Sequence, residues 1–493
     1  MNLLEQANQL LSENRLKEAD FHYRSVLEAN PNQGEALFGL GRIAMRLEKY
    51  PEAVYLLRQA CQRLPKVLNP LFALADAFDA MQQGKDAFDI LEYCCKIAPH
   101  NAEAFYRFGQ HLQIYGYTKQ ATDILKQGLT CPDSDVTPYI YYDLANIDAR
   151  AITKDHIEHL HALLARSKHT QADVVLHYTL AKSYHNLGDK SQAFAHWRLA
   201  NELQSQRCQP LDEGFDHFIS DIIDVFSEEL ITQTHDPVKP SFTPVFIIGM
   251  PRSGSTLLEQ MLCQHPSIAS LGENDAISRK LMAYLSQSSN KPFPQCMAST
   301  NRDMRTQLRQ LYANEISKHK LSNAVILNKL PANFQSVGAI KALFPNAQFI
   351  DMRRCFYPMA WSVFTHYFGA NEAFFCDMNA LMKYYEGYDR LMQHWRHCIP
   401  QSIATVHYEQ LVEDPQALLR PLFAWLGLTY TQASLKFHDS HTQVNTLSRH
   451  QVRQPLYTNA NKAYKEYEAS FKECFSREVK VSVIFPEQTP TNS

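Results

Sequence analysis

No stretch of about 18 consecutive apolar residues occurs in the chain, so no segment of it reads as a membrane-crossing helix. The opening MNLLEQANQLLSENRLKEA has no basic start followed by an unbroken apolar run, and acidic residues interrupt its hydrophobic positions. A secretory signal is therefore not expected, and the reading is a soluble, cytoplasmic protein. The 11 cysteines include the adjacent pair Cys94 and Cys95 but no CxxC spacing and no Cys/His cluster, which fits neither a disulfide framework nor a zinc site. They read as reduced thiols. Net charge is also scarce: the formal value of -3 gives no global case for binding nucleic acid or an anionic membrane, and any anion site has to be argued locally. What is present is ordinary globular composition, 45% hydrophobic and 20% charged, in a chain of 493 residues, longer than one core usually supports. Two domains are expected.

The first half repeats itself every 34 residues. Pro31, Pro65 and Pro99 keep that interval, as do Ala19, Ala53, Ala87 and Ala121, and Gly41, Ala75 and Gly109, the last set preceded four residues earlier by Leu37, Leu71 and Phe105. Small residues at two fixed places let paired helices approach closely, large apolar residues at helical spacing fill the seam, and proline stops the second helix. These positions resemble the tetratricopeptide repeat over roughly residues 1–135. A degenerate unit with Ala181, Ala193, Trp197 and Ala200 in the same relative spacing follows near 174–207. The resemblance implies a helical solenoid that binds a protein or peptide partner; the other readings are an array that only packs against the second half, or one that pairs two copies of the chain. LDEGFDHFISDIIDVFSEELI then reads as an amphipathic helix and THDPVKPSFTP as a linker.

At Val245–Ile248 the pattern changes to a short β-branched run, followed by Gly249-Met250-Pro251-Arg252-Ser253-Gly254-Ser255-Thr256 and the apolar Leu257-Leu258. Strand, loop and helix in this order aim backbone N–H groups at an anion, with hydroxyls on Ser253, Ser255 and Thr256 and a guanidinium on Arg252. The spacing copies GxxxxGK(S/T) except that Ser255 stands where the lysine would be. Without that lysine the loop suits a single 5′-phosphate better than a triphosphate. PRSGSTLLEQ resembles the 5′-phosphosulfate loop of sulfotransferases, above all the tyrosylprotein sulfotransferases and repeat-containing bacterial relatives. That resemblance spans about residues 243–470 and implies an α/β domain with a parallel sheet, 3′-phosphoadenosine 5′-phosphosulfate (PAPS) as donor, no metal, and nucleotide contacts from Arg252, Ser253, Gly254, Ser255, Thr256 and Leu257.

A second strand candidate, Ala347–Met352, runs into Arg353-Arg354, with Ser362 eight residues beyond Arg354. Arginine ending a strand and a serine on the next helix can share one oxyanion. By the family motif, Arg354 and Ser362 hold the 3′-phosphate; a register slip of one would make Arg353 the ligand, because Cys355-Phe356-Tyr357-Pro358 replaces the family's Asp-Pro. Between the two anion sites, Leu271-Gly272-Glu273-Asn274 resembles the turn that supplies the general base. Asn328-Lys329-Leu330-Pro331-Ala332-Asn333-Phe334 resembles the family's lysine segment, with Asn328 for aspartate. The resemblance assigns Glu273 as base and Lys329 as the cation at the bridging oxygen. Near the end, Ser448, Arg449, Gln451, Val452 and Pro455 match a late cofactor loop in which Ser448 assists Lys329, and Lys462 is the displaced counterpart of a basic residue reaching the 3′-phosphate. His366 and His450 are the other base candidates. Tyr408–Pro415 matches the family and reads as structural. The expected layout is an array over 1–207, degenerate after about 135, a helix and linker over 208–242, an α/β domain over 243–475 and a tail over 476–493. A P-loop kinase or NTPase, and a repeat scaffold that has lost activity, are the alternatives to a sulfotransferase acting on an acceptor hydroxyl such as a protein tyrosine.

Overall fold

A computed structural model describes residues 2–167, 170–232, 242–318, 321, 323–440, 443–444, 446, 448–456 and 463–477. It divides into two compact units, one of residues 1–166 with 441–445, the other of 167–440 with 446–493.

In the first unit the 34-residue period becomes helix pairs in phase: Gly34–Arg46 with Tyr50–Arg63, Leu68–Ala80 with Gly84–Ile97, and Ala102–Ile114 with Thr118–Gly128. The pair Leu3–Ser12 and Leu16–Ala29 precedes them, opened by a capping box in which Asn2 and Glu5 satisfy each other's backbone N–H groups. Small residues sit where close approach demands them. A methyl group added at Gly41 would lie 2.6 Å from Leu57 Cδ2, and one at Gly109 would lie 2.5 Å from Leu125 Cδ2, the same contact two repeats on. Ala53, Ala87 and Ala121 are fully buried on the second helices, and each repeat proline falls two residues past a helix end. Helices Thr137–Ile147 and Lys154–Arg166 complete the unit.

The second unit begins earlier than the sequence pattern suggests. Helices Gln171–Asn186 and Lys190–Ser205, which carry Ala181, Ala193, Trp197 and Ala200 in buried positions, belong to it, so the division falls at 166/167 and not at 207. The amphipathic stretch after them forms Glu213–Val225 and Glu228–Thr232; most of the expected linker lies outside the described residues.

Five strands follow: β1 Thr243–Gly249, β2 Ile268–Ser270, β3 Val325–Lys329, β4 Gln348–Arg353 and β5 Ile403–His407, all paired in parallel in the order β2-β3-β1-β4-β5. The sheet core explains why the central strands read as continuous apolar runs: Val245 to Ile248, Val325 to Leu327 and Phe349 to Ile350 are buried on both faces. The three-residue β2 is too short to show in the sequence. From β1 the chain proceeds to β2 on one side and from β4 to β5 on the other, so adjacent β1 and β4 form the topological switch point, where parallel α/β sheets open a crevice at their carboxyl ends. Among the described residues no helix is long and apolar enough to cross a membrane.

Candidate active site

The loop after β1 turns because Gly249 and Gly254 permit it. Gly249 has φ 148°, and a Cβ there would lie 2.4 Å from the Met352 carbonyl oxygen; Gly254 has φ 101°, and a Cβ would lie 2.5 Å from the Tyr408 ring. Between them Arg252 holds φ 63°, a left-handed conformation that costs a non-glycine residue energy and concentrates at functional positions. Helix Ser255–Leu262 starts directly after Gly254, with Ser255 and Thr256 buried in its first turn. Ser253 is 1% exposed and its Oγ has no hydrogen-bond partner among the described residues. A buried hydroxyl without a partner is costly unless an acceptor meets it, which suits a loop built for an oxyanion.

Arg252 is fixed from three sides. Its Nε donates to Ser362 Oγ at 2.9 Å, Nη1 to Ser448 Oγ at 2.6 Å and Nη2 to Gln451 Oε1 at 2.8 Å. One guanidinium therefore joins the loop after β1, the helix Phe356–Phe364 that follows β4, and the late segment around residue 450. These bonds to two hydroxyls and a carboxamide orient the guanidinium. Arg354 reaches back with Nη1 to the Arg252 carbonyl at 3.0 Å, and its guanidinium lies 4.5 Å from the Tyr408 ring centroid, a cation–π contact that sets its plane. Arg252, Gly254, Leu257, Arg354, Ser362 and Ser448 all line one cavity of about 300 Å³. Its apolar walls include Trp361, Tyr408, Val452 and Leu456.

The adjacent Arg353 does something different. It is 7% exposed, bonded through Nε to Asp351 and through Nη2 to Asp389, both at 2.9 Å, with Arg396 and the Tyr388 hydroxyl also on Asp351. Successive residues of a strand face opposite ways, so one arginine enters a buried ion cluster and the next turns to the cavity. Despite Cys355 in place of the family's aspartate, the turn is made: the Cys355 N–H donates to Glu409 Oε1 at 3.1 Å, and the helix begins at Phe356.

At the end of β3, beside β1, Lys329 is 1% exposed and its Nζ lies 2.5 Å from Glu273 Oε1 and 3.9 Å from Glu259 Oε2. Two carboxylates share one ammonium. Glu259 is buried, accepts from Ser270 Oγ at 2.5 Å, and burial raises its carboxyl above the usual carboxylate range against the pull of Lys329 and Ser270. The Gly272 N–H donates to the same Ser270 oxygen, and the Gly272 carbonyl accepts from the Lys329 N–H, both at 2.9 Å, so the turn that presents Glu273 is pinned to the strand that presents Lys329. Asn328, in the aspartate's place, donates to the Asn274 carbonyl at 2.9 Å and accepts from Asn333 at 3.2 Å, which gives it a turn-holding role an amide can fill.

The structure thus gathers Arg252, Gly254, Leu257, Arg354, Ser362 and Ser448 around one cavity, with Ser253, Ser255 and Thr256 in the adjoining loop and helix turn, and pairs Glu273 with Lys329. Lys462 lies outside the described residues. His366 and His450 make poor bases: burial and Arg252 hold the His366 imidazole well below its ordinary range, and burial with Arg449 pushes His450 down to about 3. Sequence reasoning gave no role to Glu259, although it stands one helical turn after Ser255, or to Trp361, and it placed Gln451 in the late loop without its bond to Arg252. It read Tyr408 as structural only, whereas the ring also lines the cavity.

Residues 244–432 match the model of the sulfotransferase family. The matched region runs from β1 through β5. Over 461 residues the chain is 27% identical to an uncharacterized protein of Aquifex aeolicus (strain VF5), covering 90% of this chain and 59% of that one. Over 205 residues it is 27% identical to the protein-tyrosine sulfotransferase of Drosophila melanogaster, covering 39% of each. The chain thus spans less than two thirds of the length of either relative. Among solved structures, the sulfotransferase domain from the Synechococcus PCC 7002 olefin synthase aligns at 19% identity and a TM-score of 0.34, over 50% of this chain and 94% of that one.

Proposed function

We propose that the chain transfers a sulfuryl group from PAPS to an acceptor hydroxyl, and that the acceptor is a tyrosine of a protein or peptide recruited by the repeat array. The observation that carries this reading is the pair of oriented guanidiniums, Arg252 and Arg354, on one cavity at the β1/β4 switch point, beside the Ser253 hydroxyl, which has no hydrogen-bond partner among the described residues. Two separate cations suit a nucleotide with phosphates at both ends of its ribose. Arg252 and residues 253–257 serve the 5′ side, and Arg354 with Ser362 serves the 3′-phosphate.

In the transfer the acceptor oxygen forms a bond to sulfur as the bond from sulfur to the bridging phosphate oxygen breaks, and the electron pair of that bond leaves with adenosine 3′,5′-bisphosphate. Charge grows on the bridging oxygen, where Lys329 and Ser448 stabilise it more in the transition state than before. The acceptor proton passes to the Glu273 carboxylate, and the contact between Lys329 and Glu273 keeps base and cation side by side until substrates separate them. The tyrosine acceptor is supported by the names of several matched relatives, which are protein-tyrosine sulfotransferases.

Calorimetric titration of the whole chain with adenosine 3′,5′-bisphosphate, ADP and ATP tests the reading. Tight binding of the bisphosphate alone supports it; preference for ATP points to a kinase or NTPase, and binding of none points to an inactive scaffold.

A further inference from the structure

The cavity helix Phe356–Phe364 carries Trp361 and Ser362 near its carboxyl end, where the last carbonyls have no helical partner of their own. One of them is satisfied from a distant part of the sequence. Asn201, on helix Lys190–Ser205 and 4% exposed, donates through Nδ2 to the Phe364 carbonyl at 2.9 Å and to the Trp197 carbonyl at 2.8 Å, while its Oδ1 accepts from the Tyr178 hydroxyl at 3.1 Å. The seam around it is aromatic, with Trp197 edge-on to Trp361 at 5.2 Å and Phe194 against Phe364 at 5.6 Å. Gln204 adds a bond to the Ala370 carbonyl at 2.8 Å. Apolar packing alone would tolerate small slides of one helix on the other. A buried carboxamide with three directed bonds fixes the register, because any slide leaves polar groups unpaired in a dry seam.

We propose that Asn201 is a positioning residue of the nucleotide site: from a repeat-like helix that contributes no residue to the cavity lining itself, it sets the turn that presents Ser362 and Trp361 to the 3′ end of the ligand. This rests on the nucleotide reading above. The helix pair Gln171–Asn186 and Lys190–Ser205 is then a built-in buttress of the site, which explains why it groups with the sheet and not with the array whose spacing it shares.

The test uses the full chain and two probes, adenosine 3′,5′-bisphosphate and adenosine 5′-monophosphate, titrated calorimetrically. Asn201→Ala leaves the Phe364 carbonyl and Tyr178 hydroxyl without their partner and is expected to weaken the bisphosphate about tenfold while changing the monophosphate by less than about twofold. Tyr178→Phe removes one hydroxyl and keeps the packing; it is expected to weaken the bisphosphate about threefold in the same selective way, and it decides the matter if the alanine variant does not fold. Equal weakening of both probes, or unchanged affinity for both in a folded variant, overturns the proposal. If the unsubstituted chain binds neither probe, the nucleotide reading itself falls and takes this inference with it; if it binds both and only the selectivity is missing, Asn201 alone is refuted.

Discussion

Replacing Lys329 by methionine separates the structural charge arrangement at the end of β3 from its chemistry. Methionine keeps the length of the stem and removes the ammonium that Glu273 and Glu259 share. Glu273 is 45% exposed, so losing its partner costs little, about 0–1 kcal/mol. Glu259 is 6% exposed and is left as a buried carboxylate without its cation, a change that costs about 3–5 kcal/mol. Its carboxyl is already raised by burial and can relieve part of that by taking up a proton, which places the loss near the lower end, about 3 kcal/mol. For a unit of this size that is a fall in melting temperature of roughly 4–5 °C. The sign with pH follows. An acid whose folded pKa lies above its unfolded value binds more protons when folded, so its stability is present at low pH and is lost as pH rises. The deficit of Lys329→Met against the unsubstituted chain should therefore shrink at pH 5 and widen toward pH 8 in thermal melts. A shift below about 2 °C at pH 7.5, or a deficit that does not change across that range, would show that Glu259 does not depend on Lys329 for its charge.

Arg252→Ala and Arg354→Ala should each weaken adenosine 3′,5′-bisphosphate about 100-fold in calorimetry, whereas Arg353→Ala should lower the melting temperature and leave affinity in the folded fraction near normal; equal affinity losses for all three would mean that the strand-end alternation does not sort their roles. Glu273→Gln should keep bisphosphate affinity within about twofold and slow sulfuryl transfer by roughly 10²–10⁴, and near-normal turnover would move the base elsewhere. A chain beginning at residue 167 should stay soluble and bind the bisphosphate, while one beginning at residue 208 loses the Asn201 and Trp197 seam and should fail to do so. Identical behaviour of the two truncations would show that the helix pair adds nothing to the second unit.

The array was legible because its spacing is imposed by one recurring contact. A small residue on one helix meets a leucine sixteen positions on, so Gly41 with Leu57 and Gly109 with Leu125 repeat the same geometry, and the period appears in the residues themselves. The loop after β1 was legible for a similar reason, since Gly249 is required by the approach of the Met352 carbonyl and Gly254 by its positive φ and the Tyr408 ring. Where that array stops was not legible. Ala181, Ala193, Trp197 and Ala200 satisfy the close-packing needs of a helix pair whatever the pair packs against, and the residues that decide the matter, Asn201 and Gln204, are polar positions that the repeat pattern leaves unspecified. β2 was missed because three residues carry no periodicity.

The two adjacent arginines show what a sequence motif does and does not carry. Read as letters, Arg353 and Arg354 are interchangeable, and a slip of one residue exchanges their roles. Read as physical environments, they differ: one enters a buried ion cluster and the other lines the cavity. Arg353 is held by Asp351 and Asp389, so its charge is spent inside the domain and its removal is a stability event. Arg354 bonds to a backbone carbonyl and lies over the Tyr408 ring, and Arg252 is clamped by two hydroxyls and an amide; these contacts orient two guanidiniums that line one cavity. Lys329 has two carboxylate neighbours, Glu273 and Glu259, and in the proposed transfer an incoming anion competes with Glu273 for it. On the proposed reading Arg353 holds the fold and Arg354 the ligand, and the contrast between Arg353→Ala and Arg354→Ala measures that difference on neighbouring residues of one strand end.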